Sequence, residues 1–233
     1  MSKGRLEAFS DGVIAILITI MVLDLRAPAG TDAHALFAIA PTFGAYVLSF
    51  ILLGTYWNNH HHMLQAADRI SGAVLWANLH LLFWLSLMTF VTSWMGNHAG
   101  DAVPTAAYGT VSLLAACAYR ILQFTLIRAH GASSRLQRAV GSDRKGKVST
   151  ALFAAAIPLA FVRPWIADTA FIAVVLMWLI PDRRIEMQFH SAPLGAGGQQ
   201  THCSVRRRRH RISGVVSHPA CDEGHEGQPK QQM

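Results

Sequence analysis

Charge is scarce in this chain, and from long stretches it is missing altogether. Asp, Glu, Lys and Arg make up 14% of the 233 residues, where a soluble domain carries about 25%. None occurs from Ala33 to Ala67, from Ile70 to Gly100, from Ala102 to Tyr119 or from Val148 to Val162. The longer of these runs exceed the roughly 20 apolar residues that cross the hydrocarbon of a bilayer. The chain therefore reads as a polytopic membrane protein, and a soluble enzyme is excluded. Cysteine is equally sparse. Of three, Cys117 lies in an apolar run and Cys203 and Cys221 in a polar tail, which excludes a disulfide scaffold. No GxxxxGK[ST] phosphate loop, no internal repeat and no pattern for a soluble catalytic domain is present, so no cofactor is expected.

What is there divides into six apolar segments: about Phe9 to Leu25, Leu36 to His60, Ser71 to Trp94, Pro104 to Ile127, Val148 to Val162 and Trp165 to Ile180. Arg163-Pro164 separates the last two and Pro181 stops the sixth. The sequence predicts an all-α membrane domain over residues 1–186 and a basic tail over 187–233, the latter rich in Gly, Gln, His and Ser and without a periodic apolar face. Six spans put both termini on one side, which receives seventeen of the twenty Lys and Arg residues; Arg26 and Arg163 lie opposite and Arg120 lies within the fourth span. The basic side faces the cytoplasm, so the expectation is a multi-pass protein of the cell membrane with both termini cytoplasmic. Lys3 and Arg5 before an apolar stretch resemble a signal peptide, but Glu7, Asp11, Asp24 and Arg26 disturb that pattern. The run Arg206-Arg207-Arg208-Arg209 reads as a basic tail beside anionic lipid, not as a nucleic-acid site.

The first span carries the most information. On a helix, Gly12, Ile16, Thr19 and Leu23 fall within about 60° of one another, an apolar stripe with one hydroxyl. Ser10 and Asp11 project away from it, toward neighbouring helices, and an ionisable residue at the edge of a membrane helix calls for a named partner. Taken alone the stripe reads as helix packing, and Ser10-Asp11 as a helix N-cap pair. The second span ends Trp57-Asn58-Asn59-His60-His61-His62. Adjacent helical residues point 100° apart, so these imidazoles do not converge on one metal ion. The expected arrangement is instead interfacial, with one histidine reaching Asp11. In the third span Asn78, Leu82, Leu85, Thr89 and Thr92 share a face suited to interhelical hydrogen bonds.

Arg5, Phe9-Ser10-Asp11-Gly12, Ala15-Ile16 and Thr19 together resemble the first-helix signature of the transmembrane protein 175 potassium channel family, in its prokaryotic single-repeat branch. Trp57 with the adjacent histidines, Asn78, Tyr108-Gly109 and Trp178 to Arg184 fit the same family less specifically, and Thr89-Phe90 stands where a Pro-Phe pair is expected. The resemblance covers about residues 3 to 186. It implies six helices per subunit, a homotetramer with the first helices around a central pore, and conduction of potassium and other monovalent cations without a carbonyl filter; no TVGYG-like stretch occurs here. It further implies an isoleucine constriction at Ile16, with Thr19 and Leu23 lining the pore beyond it. Ser10 and Asp11 would then be tied to His60 or His61 and to Asn78. Potassium ions, the lipid bilayer and further copies of the chain are the partners so implied. The rival reading is a proton-coupled transporter that uses Asp11 and the histidines as a relay.

Overall fold

A computed structural model describes residues 2–67, 70–130 and 143–180. The proposed domain boundary at 186, the tail 187–233 and Arg69, Arg135 and Arg138 lie outside the described residues. Among them every regular element is a helix, with no strand. The helices are α1 (Lys3–Leu23), α2 (Ala33–Ala38), α3 (Ala40–Gln65), α4 (Gly72–Asn97), α5 (Ala102–His130), α6 (Arg144–Val162) and α7 (Pro164–Leu179). By length and composition α1, α4, α5 and α6 can each cross a membrane, and α7 is a shorter apolar helix of 16 residues.

Local chemistry sets the boundaries. Asp32 caps α2 by accepting from the Ala35 N–H at 3.0 Å, and Ser71 caps α4 through Val74. Asp143 caps α6, accepting from the Gly146 N–H at 2.9 Å, so this helix begins four residues before the expected Val148. Proline at the first position of α7 lacks an N–H that would be unpaired there in any case. One expectation needs correction: the second segment is not a single helix. It divides at Ile39 into α2 and α3, because Pro41 donates no hydrogen bond and its ring crowds the carbonyl one turn back.

The helices pack mostly in sequence order, α4 on α5, α5 on α6, α6 on α7 and α3 on α4, while α1 lies against α3 and α4. Ile14, Leu53, Leu64, Leu81, Leu85 and Met88 are fully enclosed in this arrangement, and Tyr108, Phe153 and Phe171 fill the α5–α6–α7 side. Gly96 permits the closest approach: a Cβ there would stand 2.9 Å from the Thr42 Cα. The Thr42 hydroxyl donates to the Gly96 carbonyl at 3.1 Å across this contact. Deeper in the bundle, Ser49 on α3 shares hydrogen bonds with Thr92 on α4 at 2.7 Å and with Tyr108 on α5 at 3.1 Å. These hydroxyls satisfy one another where water cannot reach them.

Candidate functional site

Helix α1 has two unlike faces. Leu6, Ser10, Ile14, Leu17 and Met21 are buried against α3 and α4. The opposite face stands open: Ile16 is 56% exposed and Leu23 77%, and Gly12 and Thr19 are exposed beside them. The stripe read from the sequence is thus the face that the packed helices leave uncovered. Thr19 turns its hydroxyl proton back to the Ile16 carbonyl at 2.9 Å. Its oxygen therefore presents acceptor capacity outward.

The buried face is held by a directed chain of hydrogen bonds. Ser10 donates its proton to the Leu6 carbonyl at 2.9 Å, so toward α4 it can only accept. The Asn78 amide nitrogen donates to it at 2.9 Å. This fixes the orientation of the carboxamide, whose oxygen then accepts from His60 Nε2 at 2.7 Å. Ser10, Asn78 and His60 are all buried, and one chain of donors joins α3, α4 and α1.

Asp11, half-buried, is reached by the Trp57 indole, whose Nε1 donates to the carboxylate at 3.0 Å. A histidine was the expected donor. His60 instead turns to Asn78, and His61 stays on its own helix, stacked on Trp57 with ring centroids 5.9 Å apart and bonded to Gln65 at 2.8 Å. Adjacent positions 100° apart give His60 and His61 different neighbours. Phe9 and Arg5 are exposed, and Arg5 meets no hydrogen-bond or ion-pair partner among the described residues. Two contributors went unread in the sequence. Lys3 donates to the Gln65 carbonyl at the end of α3 at 2.8 Å, and Trp57 has the donor role just described. An indole within a turn of the membrane edge was the available signal for the second.

Fold and site define a class: an all-helical membrane protein whose first helix is pinned along one side by buried polar bonds and bare along the other. Residues 5–88 match the family model described as Endosomal/lysosomal potassium channel TMEM175. A potassium channel of Chryseobacterium is 50% identical over 186 residues, spanning 80% of this chain and 97% of that protein. The chain belongs to the TMEM175 family, a family of ion channels. The human endosomal/lysosomal proton channel TMEM175 is 29% identical over 149 residues, 58% of this chain and 30% of that protein. The crystal structure of a lysosomal potassium-selective channel TMEM175 homolog from Chamaesiphon minutus has the same fold, with a TM-score of 0.65 at 23% identity over 76% of this chain and 96% of that one.

Proposed function

We propose that the chain is a subunit of a homotetrameric, potassium-favouring monovalent cation leak channel, with six spans per subunit and both termini in the cytoplasm. The observation that carries this reading is the bare stripe on α1 opposite a pinned, buried face. A membrane helix fastened on one side and open on the other suits four copies around a central axis, where identical side chains form rings. On such an axis Ile16 is the narrow point. Four sec-butyl groups offer no oxygen to replace ion hydration, so the ring imposes a dehydration barrier. Potassium holds its water less tightly than sodium and meets the lower barrier. A difference of about 1.4 kcal/mol makes a tenfold difference in rate. Thr19, acceptor-only toward the axis, then receives a partly dehydrated cation. The names of the bacterial relatives support the choice of ion.

The test is flux in liposomes under potassium and sodium gradients. Ile16→Asn wets the ring, raises flux and erodes the preference for potassium, whereas Ile20→Asn, about 70° from the centre of the stripe, does much less. An unchanged preference in a correctly assembled Ile16→Asn tetramer overturns the assignment.

The rival, proton-coupled transport, is favoured by one observation, that the human relative is named a proton channel. Its relay through Asp11 and the histidines fits the geometry less well. His60 gives its Nε2 proton to a carboxamide, which does not shuttle protons near neutral pH, and Asp11 receives an indole, which only donates. Potassium flux that requires a proton gradient would favour the rival.

A further inference from the structure

On the side of the bundle lined by α3, α5, α6 and α7 lies a cleft of about 50 Å³ that takes no residue from α1. By volume it has room for roughly four water molecules, about the bulk of a phosphoethanolamine group. Most of its wall is apolar, but two opposite charges face into it, Arg120 of α5 and Asp143 at the start of α6, together with Tyr56, Asn59, Tyr119 and Trp178.

Among the described residues Arg120 has no partner, and Asp143 has only its capping role. Arg120 follows eighteen uncharged residues along α5 and is exposed there. It has no ion pair among the described residues, and an ionised group in a membrane helix calls for a partner. Asp143 spends one oxygen on the Gly146 N–H and makes no ion pair among the described residues. The two groups flank the cleft without forming an ion pair with each other. The Tyr56 and Tyr119 rings meet edge-on with centroids 5.9 Å apart, and their hydroxyls have no hydrogen-bond partner among the described residues. Trp178 donates to Ser149 at 2.9 Å and lies under the Lys145 ammonium at 5.8 Å, the setting of an indole at the depth of lipid headgroups.

We propose that this cleft holds the headgroup of an aminophospholipid from the adjoining leaflet, with phosphate on Arg120 and ammonium on Asp143. A guanidinium presents paired donors that match phosphate oxygens, and a primary ammonium can donate to a carboxylate. A glycerol headgroup brings no ammonium to meet Asp143. A choline headgroup has no N–H to donate and is bulkier. An aminophospholipid answers both charges at once, and its acyl chains run out over the apolar wall.

The test is native mass spectrometry of the purified full-length protein in detergent, mixed with phosphatidylethanolamine, phosphatidylglycerol or phosphatidylcholine of matched chains. Wild type should retain phosphatidylethanolamine about fivefold more than the others, a discrimination of the size one charged contact gives. Arg120→Gln should lower that retention about tenfold, and Arg120→Lys less. Asp143→Asn keeps an oxygen for the α6 cap and should abolish the preference over phosphatidylglycerol. Because it alters the preference and not the fold, it remains informative if the Arg120 variants assemble poorly. Glycerophosphoethanolamine should displace the lipid, and failure to do so would assign binding to the acyl chains and overturn the headgroup assignment. Equal retention of the three lipids by wild type, or an unchanged preference in Asp143→Asn, also overturns the proposal.

Discussion

Asn78 carries a donor and an acceptor on the same terminal group, and α4 uses both. Its amide nitrogen meets a serine that can only accept, and its oxygen meets an imidazole N–H. Removal of any member strands a buried polar atom in a dry interface, at a cost of about 1–3 kcal/mol. Ser10→Ala, Asn78→Leu and His60→Ala should each lower the thermal midpoint of the detergent-purified protein, and His61→Ala should lower it least. Equal losses for His60→Ala and His61→Ala would contradict the different roles assigned to the two histidines. Asp11 is a separate tie. Asp11→Ala leaves the Trp57 indole unpaired and should reduce the yield of assembled protein more than it changes ion preference, while Asp11→Asn retains an acceptor oxygen and should recover most of the yield. Normal assembly with inverted selectivity in Asp11→Ala would place Asp11 on the ion path instead.

Among the elements, α3 and α4 come together at a point that tolerates no side chain. A methyl group at Gly96 meets the Thr42 backbone at 2.9 Å, whereas one at Gly109 meets the far edge of the Phe171 ring at 3.2 Å. Backbone must move as a whole helix and a ring edge can tilt. Gly96→Ala should therefore cost about 1–3 kcal/mol as an overpacking change and Gly109→Ala less, read as thermal midpoints in the same detergent. A reversed order would mean that α3 shifts more freely than the ring. The break at Ile39 belongs to this scale as well. Pro41 ends the α2 segment, so the chain reaches the bundle through a short surface helix before α3 begins.

For the whole molecule, the proposed orientation rests on the uneven distribution of basic residues and on an even number of spans. In a variant without native cysteines, Ser2→Cys should react with a membrane-impermeant maleimide only after the cells are permeabilised. Ala29→Cys, on the exposed connection after α1, should react in intact cells. The opposite pattern would invert the topology. Light scattering of the purified protein should give four copies per particle, since α1 left bare in a lone subunit has an apolar face that a channel must cover or line.

The sequence by itself determined what its patterns of charge and period could carry. Uncharged runs marked membrane helices because an ion in hydrocarbon is costly. The stripe Gly12, Ile16, Thr19 and Leu23 was legible because helical angle follows from position alone. Ser10, Asp11 and Asn78 stood out as polar residues where few are tolerated. Only the tertiary structure decided which of His60 and His61 meets Asn78, and that Asp11 receives an indole in place of an imidazole. Those choices depend on the rotation and depth of α3 against α1 and α4, which no periodicity within one helix records. The meeting of Arg120 and Asp143 at one cleft was hidden for the same reason: they lie on different helices, and only packing brings their side chains to a common space.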